Sequence, residues 1–112
     1  MGIKQPPKNA SWLEKDKKTR TKAVVIKQIC VDETYDWGDY KKVLQLLKKK
    51  DDGTDLIRLG YYVKDKGSSD ADYHWGSQTT FIATKWTFEK LIEKAKNDGM
   101  LWFFVLKSRY IL

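Results

Sequence analysis

The distribution of apolar residues predicts two β-strands in the first two thirds of the chain. Residues 23–31 are rich in β-branched side chains and contain neither Gly nor Pro, a composition typical of a strand. From residue 56 to residue 64, the side chains alternate between two sides, as they do in a strand with one buried face. One side of this strand carries Arg58, Gly60, Tyr62 and Lys64. We therefore expect a half-exposed strand with a basic and aromatic outer face.

Helical spacing of apolar residues predicts two helices. In each of them, apolar side chains recur at positions i, i+3, i+4 and i+7, which places them on one side of a helix. Asp36 or Asp39 can cap the first helix, whereas Thr84 or Thr87 can cap the second, which ends at Gly99. The apolar positions are Tyr40, Val43, Leu44 and Leu47 in the first helix and Phe88, Leu91, Ile92 and Ala95 in the second.

Two more extended segments complete the predicted fold. Residues 73–83 are rich in Thr and aromatic side chains and are expected to form a hairpin with the strand over residues 56–64. Residues 101–107 are apolar on both faces, which predicts an inner strand. The element order is then β-α-β-β-α-β. We therefore expect an α+β ferredoxin-like sandwich, in which two helices cover one face of a four-stranded antiparallel sheet.

Composition and charge indicate one small domain with a basic end. The chain has 112 residues, of which 41% are apolar, enough for one domain with a core. The formal net charge is +7, and seven basic but only two acidic side chains fall within residues 1–22. We expect residues 1–22 to be a flexible basic leader and residues 23–112 to be a single α+β domain. Such a leader can bind phosphate groups through charge alone.

The sequence argues against a membrane protein and against stabilisation by disulfides or zinc thiolates. The longest apolar run, Met100–Leu106, has seven residues, whereas about 20 are needed to cross a bilayer. The single cysteine, Cys30, is too few for an intramolecular disulfide or a cysteine zinc site. The first residues lack the apolar stretch of a secretory signal. We therefore expect a cytoplasmic protein with no cofactor and no membrane contact.

The uncovered face of the predicted sheet is the candidate functional site. If both helices lie on one side, the other face is open to solvent or to a partner. Aromatic rings placed between Arg and Lys are typical of single-stranded nucleic-acid binding, in which bases stack on the rings and the cations contact phosphates. Gly60 would let a flat ligand approach the backbone. The predicted contacts are Arg58, Tyr62, Lys64 and Trp75 on the sheet and Lys15, Lys17, Lys18, Arg20 and Lys22 in the leader.

Other uses of the same surface stay open at this point. The aromatic side chains can instead form the interface of a homodimer or of a complex with a protein partner. Alternatively, Trp12 and Leu13 can fold back from the leader and cover the face. Periodicity does not decide whether Trp75 or His74 shares the face with Tyr62.

Catalytic and metal-binding patterns carry less weight in this sequence. Asp70, Asp72 and His74 would project from one face of an extended segment, where they could hold a divalent ion. Cys30 and His74 would serve as nucleophile and base if they lay within hydrogen-bonding distance. The chain contains no nucleotide-binding loop and no hydrolase motif. We therefore expect a binding module rather than an enzyme.

Overall fold

The chain forms one antiparallel sheet whose strands lie side by side in chain order, followed by a helix. The computed structural model describes residues 9–14, 16–76 and 81–101. Within these ranges the strands are β1 (Asn9–Leu13), β2 (Arg20–Tyr35), β3 (Gly38–Lys49), β4 (Asp55–Asp65) and β5 (His74–Trp75), and the helix is α1 (Lys85–Asn97). The hydrogen-bonded order is β1-β2-β3-β4-β5, and each neighbouring pair is antiparallel. The sheet curls into a half-barrel.

Helix α1 covers one side of the sheet, which we call the helix face. Leu91 and Ala95 of α1 pack with Val31 of β2 and Leu44 of β3, and Met100 closes the cluster after the helix ends. All five side chains are buried. Burying these apolar groups is the main force that holds α1 on the sheet.

The opposite side of the sheet, which we call the concave face, has an apolar cluster of its own. Ala23 and Val25 of β2 pack with Leu47 of β3, and Ala10 of β1 extends the cluster toward the edge of the sheet. All four side chains are buried. The central strand β3 is therefore covered on both sides, with Leu44 in the cluster of the helix face and Leu47 in that of the concave face.

The structure confirms the second predicted helix and both of its end signals. The hydroxyl of Thr84 accepts a hydrogen bond from the backbone N–H of Thr87, so Thr84 is the N-cap. At the other end, Gly99 has a φ of 77°, in the left-handed region. The N–H of Met100 then donates to the carbonyl of Ala95 at 2.8 Å, which ends the helix as the glycine predicts.

Two of the predicted strands are also confirmed, and both are longer than expected. Residues 23–31 lie inside β2, and residues 56–64 lie inside β4. Along β2, the register with β3 shifts between Val25 and Lys27. Such a bulge increases the local twist of a strand, which favours the curl of this sheet.

The predicted ferredoxin-like sandwich is wrong, because the segment predicted as its first helix is strand β3. This strand pairs with β2 on one side and with β4 on the other. A strand that is buried on both faces has apolar residues at both odd and even positions. Tyr40 and Leu44 lie on the helix face and Val43 and Leu47 on the concave face, and together these four positions imitate the spacing of a helix.

The expected boundary at residue 22 falls inside the sheet. Residues 9–13 form β1, which pairs with β2 as far as Leu13 opposite Arg20. The part of residues 1–22 that the structure describes contains an edge strand, a turn and the start of β2. Trp12, considered above as a cover, packs beside the apolar cluster of the concave face.

The two remaining predicted strands lie only partly within the described ranges. Of residues 73–83, His74–Trp75 form β5, while residues 77–80 are outside the described part of the chain. Of residues 101–107, only Leu101 is described, and it packs against the cluster of the helix face.

Candidate functional site on the concave face

The concave face is curled tightly enough to bring distant strands together. In a flat sheet, β1 and β4 would be three strand spacings apart, or about 14 Å. In this protein the guanidinium carbon of Arg58 on β4 lies 5.9 Å from the ring centroid of Trp12 on β1. The two side chains therefore meet across the hollow of the sheet.

Trp75 joins this pair from β5. The sequence left open whether Trp75 or His74 shares the face with Tyr62, and the structure places Trp75 there. The rings of Trp75 and Tyr62 meet edge to face, with their centroids 5.1 Å apart. The indole lies directly over Gly60, where a Cβ would overlap two of its ring carbons. The space above Gly60, which we expected a flat ligand to use, is therefore filled by the chain itself.

Arg58 is a half-buried cation that is held by aromatic rings rather than by an acid. Its guanidinium carbon lies 4.6 Å from the centroid of Trp75, with Trp12 also close, which is cation–π geometry. Its Nε donates to Oε1 of Gln45 at 2.9 Å. Burial lowers the pKa of the guanidinium, although an arginine remains charged at neutral pH. Within the described ranges, no carboxylate lies within 4.0 Å of this cation, so none of these residues is its counter-ion.

A row of hydrogen-bonded polar side chains crosses the concave face at Arg58. Gln28, Gln45 and Arg58 stand opposite one another on β2, β3 and β4. Nε2 of Gln45 donates to Oε1 of Gln28 at 2.6 Å, and the hydroxyl of Tyr62 donates to the same oxygen at 3.3 Å. Gln45 is fully buried, where an amide without partners would cost about 2 kcal/mol or more. The row gives an otherwise apolar hollow a fixed polar centre, which is the usual composition of a ligand site.

Two of the predicted contacts, Tyr62 and Lys64, are internal. Each is 7% exposed, and burial raises the pKa of the Tyr62 hydroxyl. The ammonium of Lys64 lies 3.2 Å from the carboxylate of Asp39 and donates to the carbonyl of Ser68 at 2.5 Å. A covered ring offers no stacking surface, and a neutralised ammonium attracts phosphate less. These positions favour supporting roles, in which Tyr62 orients Gln28 and Lys64 holds the loop that leads to β5.

The basic side chains predicted in the leader gather at the turn between β1 and β2. Asp16 shapes this turn, because its carboxylate accepts the backbone N–H groups of Lys18 and Thr19 at 2.8 Å each. Trp12 is one residue pair from the end of β1, so the turn borders the Trp12 side of the concave face. Lys15 is outside the described residues. Lys17 and Lys18 are exposed in the turn itself. Arg20 and Lys22 are exposed on the face opposite Trp12, where Arg20 donates to the hydroxyl of Ser11 at 3.0 Å.

The positions of the residues do not support the metal and nucleophile hypotheses. Asp70 and Asp72 lie in a 3₁₀ turn, so they do not share one face of an extended strand with His74. In the part of the chain that the structure describes, no group of three His, Cys, Asp or Glu side chains could hold a metal ion. Cys30 stands opposite Val43 on the concave face, whereas His74 stands opposite Val63 on the other face of the sheet.

A buried lysine forms the centre of a second cluster, on the helix face. Lys42 is 5% exposed, and its ammonium lies 4.7 Å and 5.1 Å from the ring centroids of Tyr40 and Tyr61. It donates to the backbone carbonyl of Ile82 at 2.7 Å and lies 3.7 Å from a carboxylate oxygen of Glu33. Burial lowers the pKa of this lysine.

Glu33 connects this cluster to the start of α1. Its second carboxylate oxygen accepts the backbone N–H of Thr84 at 2.9 Å. Burial alone would raise the pKa of Glu33, but hydrogen bonds from Thr87, Tyr35 and Thr84, with the charge of Lys42, lower it to about 2. The hydrogen bond to this carboxylate, together with burial, raises the pKa of Tyr35 to about 12. The cluster therefore anchors α1 to the sheet and is separate from the concave face.

Gln28 and Gln45 do not stand out in the sequence as site residues. The available signal is that Gln45 is the one polar residue in the apolar run from Val43 to Leu47. An amide at the centre of such a run must find partners within the fold. That signal becomes informative only when β3 is known to be a strand, because the partners of Gln45 are on the neighbouring strands.

Comparisons with known proteins identify no relative of this chain. No protein-family model, no curated protein and no solved structure matches it. Among the described residues, no helix has the length and apolar character needed to cross a bilayer. A function must therefore be argued from the concave face itself.

Proposed function

We propose that this protein binds single-stranded nucleic acid on its concave face, with Arg58, Trp12 and Trp75 as the main contacts. The observation that carries the proposal is the half-buried guanidinium of Arg58, which lies against two indole rings and has no carboxylate partner among the described residues. An acceptor from a ligand would compensate for the water that this cation has lost. Arginine combined with aromatic rings is the chemistry that holds single strands without a fixed sequence.

The shape of the site favours a single strand over a duplex. Trp12 and Arg58 approach to 5.9 Å across the hollow, so only a narrow group can enter beside them. The bases of a single strand can be turned out and placed against protein side chains, whereas those of a duplex are stacked and paired. The exposed lysines at the β1–β2 turn border the same hollow, where they can contact the phosphates of the strand.

Tryptophan fluorescence tests the proposal directly. The protein is titrated with single-stranded DNA and RNA of about 12 nucleotides at about 50 mM and about 200 mM salt. We expect quenching that weakens at the higher salt concentration. Arg58→Gln should lower the affinity about tenfold, because it removes a charge-assisted contact. Trp75→Phe should lower the affinity by less, because the smaller ring keeps part of the stacking.

Trp86→Phe is the matched control for the fluorescent group. Trp86 is on α1, outside the concave face, and is 60% exposed. Its substitution should remove part of the signal but leave the affinity unchanged. Absence of any quenching at low salt, or equal effects of Trp75→Phe and Trp86→Phe on affinity, would contradict the proposal.

The alternative in which the same face binds a second copy or a protein partner predicts a different pattern. In that case, light scattering after size exclusion shows a mass that rises with protein concentration. Arg58→Gln then lowers this mass, and added oligonucleotide has no effect on it.

A further inference from the structure

Strand β5 covers only the last part of the outer edge of β4. β4 has 11 residues, whereas β5 pairs with it at Tyr62 and Val63. Within the described ranges, no strand lies beside the part of this edge that precedes Tyr61. An open edge presents backbone N–H and C=O groups that can pair with a further extended segment.

Ile57 and Leu59 carry the open backbone groups of this edge. In an antiparallel sheet, both backbone groups of a residue point to one neighbouring strand, and those of the next residue point to the other. The N–H of Gly76 donates to the carbonyl of Tyr61 at 2.9 Å, so Tyr61 points away from β3. Ile57 and Leu59 are an even number of residues from Tyr61 and therefore point to the same side. Arg58, between them, points to β3.

Apolar side chains line the same edge on the helix face. Ile57 stands opposite Leu46 of β3 and is 44% exposed. Leu46 and Leu59 pack against the cluster of the helix face, whereas α1 itself lies over β2 and β3. The edge therefore combines open backbone groups with an uncovered apolar side chain, which favours an apolar strand as its neighbour.

The described part of the chain ends close to this edge. Leu101 packs against the helix-face cluster, as Leu59 of β4 does. The next five residues, 102–106, are Trp, Phe, Phe, Val and Leu, so aromatic and β-branched side chains typical of strands predominate and none is charged. An extended chain advances about 3.3 Å per residue, and neighbouring strands are about 4.8 Å apart. A few residues therefore suffice to go from the cluster to the edge.

We propose that residues 102–106 of this chain occupy the open edge of β4. Their backbone groups pair with those of Ile57 and Leu59, and their apolar side chains cover Ile57. A segment of the same chain has a high effective concentration at this edge. A second copy must instead approach against the repulsion between two net charges of +7. The proposal concerns a different surface from the concave face and does not depend on nucleic-acid binding.

Amide hydrogen exchange of the full chain, followed by NMR, tests the proposal. We expect the N–H groups of Ile57 and Leu59 to exchange at least about a hundredfold more slowly than in an unfolded peptide. Arg58 is the internal reference, because its N–H pairs with β3 whether or not the edge is occupied. Unprotected N–H groups at Ile57 and Leu59, beside a protected Arg58, would overturn the proposal.

A pair of charged substitutions tests which segment occupies the edge. Phe103 and Phe104 are adjacent, so one of them lies on each side of an extended segment. Phe103→Asp combined with Phe104→Asp therefore places a charge on both sides, and docking would have to desolvate at least one of the two. Exchange at Ile57 and Leu59 should become at least about tenfold faster in this double variant, whereas exchange at Arg58 should change less.

The matched control adds the same two charges nearer the end of the chain, as Tyr110→Asp and Ile111→Asp. Exchange at Ile57 and Leu59 should stay as in the wild type. Protection that persists in the first double variant, or that is lost equally in the control, would contradict the assignment to residues 102–106. Circular dichroism checks folding, and if the first double variant is unfolded, its two single substitutions are measured separately and at least one should speed exchange.

A second copy of the protein can supply the same segment by exchanging it between chains. Exchange and light scattering are therefore measured at two protein concentrations about tenfold apart. We expect a constant monomeric mass and constant protection of Ile57 and Leu59. Mass and protection that rise together with concentration would assign the edge to a second copy and overturn the proposal.

Discussion

The indole of Trp75 occupies the space that the missing side chain of Gly60 leaves on β4. A second contact of the same kind lies on the helix face, where Gly76 leaves room for the ring of Tyr61. Strand β5 has only two residues, and its backbone pairs with β4 at Tyr62 and Val63. Two rings seated on two glycines, one on each face of the sheet, therefore hold this short strand in place.

We expect Gly60→Ala to destabilise the protein and to weaken ligand binding. The added Cβ overlaps ring carbons of Trp75, so the indole must move, and such overpacking typically costs about 1–3 kcal/mol. Because Trp75 lies against Arg58, the affinity for oligonucleotides should fall as well. Urea unfolding measures the first effect and fluorescence titration the second.

The same substitution in a Trp75→Ala background is the control. Without the indole, alanine at position 60 has room, and it should be neutral or stabilising because glycine weakens a strand. An equal cost in both backgrounds would show that the clash with Trp75 is not the cause.

Stability in acid should depend on Glu33. Its pKa in the folded protein is about 2, below the ordinary value of 4.5, so the carboxylate stabilises the fold above about pH 4.5 and loses this contribution as the pH falls toward 2. The shift corresponds to up to about 3 kcal/mol. We therefore expect Glu33→Gln to be less stable than the wild type at pH 7 and to approach it near pH 2. Thermal unfolding across this pH range provides the measurement.

Glu89→Gln is the matched control for this prediction. Glu89 is an exposed carboxylate on α1 that pairs with Lys85 at 2.6 Å. Surface pairs of this kind contribute about 0–1 kcal/mol, so the pH dependence of stability should change little. A parallel loss of stability at every pH in Glu33→Gln would contradict the assigned role of the charge.

Lys42→Met should lower the free energy of unfolding by about 3–5 kcal/mol at neutral pH, because it leaves Glu33 buried without its cation. It also removes the donor to the Ile82 carbonyl. Lys48→Met is the control, since Lys48 forms an exposed ion pair with Asp55 and should cost less than about 1 kcal/mol. Equal costs, measured by urea unfolding, would show that the cluster does not anchor α1.

Local signals predicted α1 and β4 well but failed at β3. The N-cap Thr84 and the left-handed Gly99 mark the two ends of the helix, and both signals depend only on neighbouring residues. In β3, the spacing of apolar residues fits a helix as well as it fits a strand buried on both faces. The choice depends on what lies on either side, namely β2 and β4, and the sequence of β3 does not contain that information.

The candidate site was predictable in part for the same reason. Alternation along β4 correctly placed Arg58 and Tyr62 on one face, because side chains in a strand alternate regardless of tertiary context. It could not show that Trp75 would cover Gly60 or that Lys64 would be paired with Asp39. Both contacts join neighbouring strands, so they follow from the pairing and register of those strands rather than from the pattern within one strand.

The β1–β2 turn should determine the salt dependence of nucleic-acid binding. Each phosphate contact by a lysine contributes about 0.7 to the slope of log affinity against log salt for a single strand. A variant with glutamine at the two exposed lysines of this turn should therefore have a slope that is smaller by about 1.4. The two substitutions are Lys17→Gln and Lys18→Gln.

A second double variant removes the same charge from α1, which covers the opposite face of the sheet. Its slope should change much less, because the substituted lysines do not border the concave face. If the two variants lose the same slope, net charge rather than the turn controls binding, and the strand does not follow the path from the turn into the hollow. The control substitutions are Lys90→Gln and Lys96→Gln.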